Sequence, residues 1–211
     1  MDATLTKHLT RIIHVFYDMK KGGMPVELEF RRSSCSESVF RNAIDHVRRY
    51  RDGEWSSMSM MDVFYKGRGG RELRTSVTYD IAELTLDVRH IEKRRLEHVR
   101  VLPGVKYVLS EENIVDESEI PDAVEPSLVR IKHRRSFLYT PKRCNNAALR
   151  YDFTVVYAAP TKKDALAKET AGDATYDVEL ELLGTEYVDA TSHLHVVCSM
   201  FMKMFDLCRH V

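Results

Sequence analysis

The sequence lacks long apolar runs and closely spaced cysteines. No stretch of the 211 residues holds about 18 consecutive apolar residues, the length that spans a bilayer, and the first residues lack the apolar core of a signal peptide. The four cysteines, Cys35, Cys144, Cys198 and Cys208, include no CxxC pair, which argues against a zinc ribbon or a thioredoxin-like redox site. We therefore expect a protein that is not secreted, has no membrane partner and works in a reducing compartment.

The sequence also lacks a net charge and a flexible linker. Lys and Arg number 32, as do Asp and Glu, so the total charge predicts no general attraction to nucleic acid. Any anion site must come from local segregation of charge. No stretch rich in Pro, Gly or Ser divides the chain into two self-sufficient halves, and we expect residues 1–211 to form one domain.

Hydrophobic periodicity predicts helices near both ends of the chain and strands between them. Apolar residues at helical spacing predict helices over 3–20, 36–50 and 190–209. From about 58 to 157, extended segments rich in aromatic and β-branched residues are separated by turn signals such as GRGG and PG, which favours an antiparallel sheet or barrel. The polar segments 115–126 and 159–175 are predicted to be surface loops, the second with room for a helical turn.

Two short segments alternate apolar residues strictly with carboxylates. They are VELEF at 26–30 and DVELELL at 177–183. Side chains two apart on a strand share a face, so each segment has one apolar face and one purely acidic face. The acidic faces carry Glu27 and Glu29 in the first segment, and Asp177, Glu179 and Glu181 in the second.

A third extended segment, LVRIKHRRSF at 128–137, places the opposite charge on one face. That face carries Arg130, Lys132 and Arg134, and other charged positions inside extended segments are Asp62, Arg74, Arg150 and Asp152. A solvated face is the simplest interpretation of any single strand. Solvent-facing strands commonly mix signs, however, because neighbouring like charges repel. Three strands sorted by sign therefore favour a shared charged site.

Such strands suit an inverted barrel within an α+β fold. In a closed antiparallel barrel of about eight strands, the apolar faces would point outward against the helices and the charged faces would line a tunnel that holds one small ligand. Carboxylates suit Mg²⁺ or Mn²⁺, while Arg and Lys suit phosphate. Together they indicate phosphoryl transfer, in which positioning and charge neutralisation supply most of the catalysis.

Four motifs in this order resemble one enzyme family. ELEF, RIKHRRSF, LRYDFT and YDVELEL are similar to motifs of the metal-dependent RNA 5′-triphosphatases of fungi, protozoa and large DNA viruses. These mRNA-capping enzymes belong to the triphosphate tunnel metalloenzyme superfamily. The resemblance covers about residues 26–184, and the ordered set is specific although any single ExE pair is not. It implies a triphosphate tunnel inside the barrel.

The resemblance implies an acidic wall that binds the metal. Glu27, Glu29 and Glu181 match the direct metal ligands. Asp177 and Glu179 match acids that contact the metal through water or hold its ligands. Asp177 stands where the family usually has Glu, and Arg31 stands where related tunnel enzymes often have Lys.

The resemblance also implies a basic wall that binds the triphosphate. Its members are Arg74, Lys132 and Arg134 on the γ-phosphate, Lys93, Arg130 and Arg150 along the rest of the lining, and Asp62 and Asp152 as acids that orient the basic groups. Glu112 in VLSEE would orient or deprotonate the attacking water, with Glu111 beside it as the alternative.

The implied reaction is hydrolysis of the β–γ bond at the 5′ end of nascent RNA, the first step of mRNA capping. Free nucleoside triphosphates should be hydrolysed too, because the proposed contacts all go to the triphosphate. The sequence contains no K-x-D-G nucleophile motif, so an mRNA guanylyltransferase is expected as a partner. The resemblance implies a nuclear protein in a eukaryote, or one in the host cytoplasm or virion of a virus.

Two other functions remain open. Another tunnel enzyme, such as an inorganic tripolyphosphatase or a thiamine-triphosphatase-like protein, would share the acidic and basic strands, although RIKHRRSF and LRYDFT favour the RNA enzymes. A non-catalytic β-barrel that binds RNA would explain the basic residues. It gives no reason for clustered acids, which repel phosphate.

Overall fold

A computed structural model describes residues 3–50, 53–67, 71–80, 85–120, 125–139, 148–183 and 190–208. The helices of these ranges are α1 (Ala3–Lys21), α2 (Glu37–Val47), α3 (Lys162–Ala171) and α4 (Ala190–Cys208), with a 3₁₀ turn at Glu117–Glu119. The strands are β1 (Val26–Cys35), β2 (Gly53–Lys66), β3 (Glu72–Asp80), β4 (Thr85–Leu102), β5 (Val105–Ile114), β6 (Leu128–Tyr139), β7 (Ala148–Ala159) and β8 (Thr175–Leu183).

Strand β1 closes a barrel because it pairs with strands from both halves of the sequence. It is antiparallel to β5 on one edge and to β8 on the other, and the circuit runs β1-β5-β4-β3-β2-β6-β7-β8. This confirms the closed antiparallel eight-stranded barrel predicted from the sequence. Closure also places Glu29 directly opposite Glu181.

The hydrophobic core lies outside the barrel wall. Val26, Leu28 and Phe30 on β1 are at most 1% exposed and belong to one cluster with Leu9 and Phe16 of α1. The apolar residues of β8 and the buried faces of α2 and α4 join the same cluster. The predicted outward apolar faces are therefore confirmed. None of the helices in the described ranges combines the length and the apolar composition needed to cross a membrane.

The opposite strand faces carry charge into the barrel. Directly paired residues share a face, so the pairing of Lys93 with Glu112 and of Asp62 with Ser76 identifies the inward positions. Several inward charged residues are less than a tenth exposed: Glu29, Asp62, Lys132, Asp152 and Glu179. The barrel interior is thus a hydrophilic tunnel with little solvent to screen its charges.

The segment after β7 differs from the prediction of a loop with at most a helical turn. It forms α3, a ten-residue helix. The Thr161 side chain caps its first turn by accepting a hydrogen bond from the Asp164 amide, and Gly172 ends it in the left-handed conformation. Only Ala165 of this helix is buried, so the sequence carries no amphipathic pattern to reveal it.

Candidate active site

The predicted metal ligands lie together on β1 and β8. Glu29 is opposite Glu181, and Glu27 shares their face two residues along β1. Burial and the neighbouring Glu179 raise the pKa of Glu29 to about 7. Burial and the neighbouring Glu27 raise the pKa of Glu181 to about 8, an effect that the Arg150 guanidinium 2.5 Å away does not outweigh. This crowding leaves a negative site that a cation would stabilise.

The donor set on this wall fits Mg²⁺ or Mn²⁺. Carboxylate oxygens are the hard ligands that both cations prefer. Glu29 Oε1 is buried and accepts no hydrogen bond, although Arg31 Nη2 lies 3.2 Å from it at ion-pair distance. A buried carboxylate oxygen without a hydrogen-bond donor is the kind of atom that a metal ion satisfies.

The carboxylates are nevertheless held by basic side chains. In the part of the chain that the structure describes, no three Asp, Glu, His or Cys side chains already form a metal-binding group. Lys93 Nζ is 3.0 Å from Glu27 Oε2, and Arg150 Nη2 is 2.5 Å from Glu181 Oε2. A bound cation would therefore replace these ion pairs and release the basic groups.

Glu179 on β8 joins two arginines from other strands, Arg31 of β1 and Arg134 of β6. Arg31 Nη2 lies 2.6 Å from its Oε1, and Arg134 Nη2 lies 3.2 Å from its Oε2. Burial alone would raise the pKa of Glu179, but the two guanidinium groups lower it to about 2. Arg31 was missing from the predicted site residues. Its position two residues after Glu29 on the same strand face is the signal that identifies it.

Asp62 organises one part of the basic wall. Its Oδ2 contacts Lys132 Nζ and lies 3.9 Å from Arg74 Nη1, while Ser76 Oγ donates to its Oδ1 at 2.7 Å. Burial would raise the pKa of Asp62, but Lys132 and Arg74 hold it below its usual range. Burial lowers the pKa of Lys132 in spite of Asp62. The acid thus remains ionised and orients two of the predicted phosphate-binding groups.

Asp152 organises the neighbouring part in the same way. Ser136 Oγ donates to its Oδ1 at 2.6 Å, and its Oδ2 lies 3.1 Å from both Arg134 Nη1 and Arg150 Nε. The Asp152 residue is 1% exposed. Sequence reasoning missed both serine partners, Ser76 and Ser136, although Ser136 alternates with Arg134 on β6 and so shares its face.

Glu112, rather than Glu111, faces the tunnel. Lys93 Nζ and Arg74 Nη2 lie 2.6 Å and 3.4 Å from Glu112 Oε1. Glu111 lies on the other face, where Arg94 Nη2 is 2.6 Å from its Oε2. Burial would raise the pKa of Glu112, but Lys93 and Arg74 hold it below its usual range. Glu111 and Glu112 were both candidates from the sequence. The structure places them on opposite faces of β5, and Glu112 is the one in the tunnel.

Two predicted site residues have other contacts. Asp177 Oδ1 accepts a hydrogen bond of 2.9 Å from the amide of Ser34, which has a positive φ of 54° where the β1–β8 pairing is irregular. Asp177 therefore stabilises the end of β1. The Arg130 guanidinium lies 5.0 Å from the Phe64 ring centroid, and within the described ranges no ion pair engages it.

The remaining predicted residues, together with Arg31, form two chains of ionic contacts. One chain runs through Glu27, Lys93, Glu112, Arg74, Asp62 and Lys132, and the other through Glu29, Arg31, Glu179, Arg134, Asp152, Arg150 and Glu181. Each chain alternates acid and base. Such a lining can bind a polyphosphate together with a divalent cation. The cation would replace the basic partners of the carboxylates, and the polyphosphate would replace the acidic partners of the basic groups.

Solved structures of RNA triphosphatases share this barrel. The S. pombe Pct1 RNA triphosphatase in complex with the Spt5 CTD aligns at TM-score 0.67 and 12% identity, over 97% of this chain and 93% of that chain. The RNA triphosphatase domain of a trifunctional mimivirus mRNA capping enzyme aligns at TM-score 0.63 and 13% identity, over 97% of this chain and 99% of that chain. No family model and no curated protein sequence matches the chain. The protein therefore has the tunnel fold of these RNA triphosphatases.

Proposed function

We propose that this protein is a divalent-metal-dependent RNA 5′-triphosphatase that removes the γ-phosphate from triphosphate-ended RNA. The observation that carries the proposal is the closed barrel in which the acidic wall of β1 and β8 faces basic groups from β3, β4 and β6. A non-catalytic RNA-binding barrel offers no reason for the buried carboxylates. The likeness to the fungal and mimivirus RNA triphosphatases supports the same activity.

The metal would bind Glu27, Glu29 and Glu181. The cation would supply a Lewis acid that draws charge from the γ-phosphate oxygens. Glu179 stays ionised and holds Arg134 for the phosphate. Arg150 and Lys93 now pair with two of the proposed ligands, so their release by the cation would make them available to the triphosphate.

The basic wall would hold the γ-phosphate for in-line attack by water. Asp62 positions Lys132 and Arg74, and Asp152 positions Arg134, so these donors are oriented before the substrate binds. Preoriented donors of this kind stabilise charge that develops in the transition state. Glu112 would orient the attacking water. Its low pKa makes it a weak base, which favours orientation over proton removal.

The products would be a diphosphate RNA end and inorganic phosphate, as the first step of capping requires. An mRNA guanylyltransferase would use the diphosphate end next, which makes such an enzyme the expected partner. Nucleoside triphosphates would be alternative substrates because no contact in the two chains requires a base. A nuclear location would follow in a eukaryote, and the host cytoplasm or virion in a virus.

The test is phosphate release from γ-labelled triphosphate RNA with Mg²⁺, with Mn²⁺ and with a chelator. We expect metal-dependent release that falls about a hundredfold or more in Glu27→Gln and in Glu181→Gln. Glu37→Gln, an exposed change on α2, is the matched control and should keep full activity. Inorganic tripolyphosphate is assayed in parallel. Turnover of tripolyphosphate without turnover of RNA would refute the RNA assignment, and metal-independent release would refute the proposed site.

A further inference from the structure

The β4–β5 hairpin carries a row of exposed basic side chains on its tunnel-facing side. The hairpin patch consists of Arg95, His98, Arg100 and Lys106, all exposed. In the register Arg95 is opposite Ser110, which is itself opposite Glu27, and Arg100 is opposite Lys106, which is opposite Arg31. Opposed residues share a face, so the patch continues the inner wall on which the candidate metal ligands lie.

A bulge keeps this row on one face. The β4–β5 register shifts between Arg95 and Glu97, which inserts one extra residue into β4. Without the shift, strict alternation would send Arg95 and His98 to opposite faces. After the shift, His98 is opposite Val108, while Glu97 is opposite the fully buried Leu109 of the outer core. The irregularity therefore extends the basic row outward from Lys93.

The patch lies beyond the closed part of the barrel. Strand β3 pairs with β4 only from Thr85 to Glu92, so the rest of β4 extends past the end of β3. From Lys93 to Arg100, with one residue taken up by the bulge, the row spans about 20 Å at the usual strand rise. Within the described ranges no ion pair or hydrogen bond engages a side chain of the hairpin patch, whereas Lys93 and Arg74 in the tunnel are paired with acids.

Among the described residues, exposed apolar side chains lie at the other mouth of the tunnel. Strands β5 and β6 run in the same direction around the barrel, and their inner faces end with Ile114 and Leu138, which are 77% and 37% exposed. Met58, opposite Arg134, is 38% exposed near the same end. Arg89 on the inner face of β4 toward this end is already paired with Asp87 at 2.7 Å. Among the described inner-face residues at the two mouths, unpaired positive charge therefore lies on the hairpin side.

We propose that the hairpin patch binds the ribose-phosphate backbone of the RNA that follows the 5′-triphosphate, so the RNA enters the tunnel from this mouth. The inference rests on the proposed function and adds the path of the substrate. A row of basic side chains without Phe, Tyr or Trp on the same face tracks phosphates and reads no bases. Such contacts would favour triphosphate RNA over free nucleotides, which reach only the triphosphate site.

The test compares ATP with triphosphate RNAs of increasing length for wild type and for Arg100→Ala/Lys106→Ala. In wild type, kcat/KM should rise with RNA length and then level off. The double variant should keep its ATP hydrolysis and lose about tenfold on the longer RNAs. The slope of log kcat/KM against log salt should become shallower by about 1.4, the value for two lost contacts to single-stranded phosphates.

Two controls separate this path from its alternatives. Lys162→Ala/Lys163→Ala on α3 removes the same charge from exposed positions outside the hairpin patch and should leave the ratio of RNA to ATP activity unchanged. Arg89→Ala alters the other mouth and should also leave it unchanged. The inference would be overturned if Arg89→Ala lowered kcat/KM on RNA but not on ATP. It would also be overturned if the ratio of RNA to ATP activity stayed unchanged in Arg100→Ala/Lys106→Ala.

Binding of 5′-hydroxyl RNA, followed by fluorescence anisotropy, separates the inference from the proposed function. A wild type that hydrolyses ATP but not triphosphate RNA would refute the proposed function. The inference would still stand if the hairpin variant bound this RNA about tenfold more weakly than wild type, and it would fail if the two bound it equally.

Discussion

Replacing Asp152 by Ala should destabilise the protein strongly, because this carboxylate joins several buried groups. Its oxygens accept from Ser136 and contact Arg134 and Arg150 at 2.6 to 3.1 Å. Removing one member of a buried ion pair typically costs about 3–5 kcal/mol. Arg134 keeps Glu179 and Arg150 keeps Glu181, so part of the charge remains paired. We therefore expect the free energy of unfolding to fall by about 3 kcal/mol, near the lower end of that range.

Urea unfolding of the metal-free protein at neutral pH measures this loss. Asp152→Asn keeps the shape and an acceptor for Ser136, so it should cost less than Asp152→Ala. Asp45→Ala breaks an exposed pair with Arg48 on α2 and should cost less than about 0.5 kcal/mol. If Asp152→Ala cost no more than Asp45→Ala, the buried network would not contribute as argued. Phosphate release should fall in Asp152→Ala as well, because Arg134 loses the group that orients it.

Three further predictions concern the metal site, the water and α3. Raised pKa values of about 7 for Glu29 and about 8 for Glu181 mean that folding favours their protonated forms. As the pH rises from about 5 through 7 to 8, these two groups should therefore make the metal-free protein less stable, while the rise in melting temperature caused by Mn²⁺ should grow over the same range. A melting temperature that does not change with pH would contradict this. Glu112→Gln should lower kcat at least about tenfold and Glu111→Gln should not, as measured by phosphate release; equal effects would mean that strand face does not decide the role. Gly172→Ala should lower the free energy of unfolding by about 1 kcal/mol, because Gly172 has a φ of 71°, a conformation that costs Ala more than Gly. An added Cβ would meet no atom within 4 Å, so no steric clash adds to this cost. An unchanged urea midpoint would show that the left-handed cap is not needed.

Alternation within single strands made much of the site predictable. Glu27 and Glu29 had to share a face once the segment was a strand, and so did Lys132 and Arg134. The apolar Leu28 between the two glutamates then had to pack outside the barrel, against the helices. Arg31 follows from the same rule and could have been included. The helix α3 could not be predicted with the same force, because one buried Ala leaves no periodic signal.

Pairing between distant strands could not be predicted from those local patterns. The choice between Glu111 and Glu112 required the register of β5 against β4, because neighbouring residues on a strand differ only in face. The hydrogen bond from the Ser34 amide to Asp177 depends on an irregularity in the β1–β8 pairing, and no residue in β1 predicts that irregularity. The serine partners of Asp62 and Asp152 likewise lie on other strands.

The sequence by itself determined the sign of charge on each strand face, because side-chain alternation is a local property of an extended chain. It also determined that the acids and bases would point away from the apolar core. Only the tertiary structure decided which charges meet. Glu29 and Glu181 come together because β1 closes the barrel against β8, and their raised pKa values follow from burial and crowding that exist only after closure.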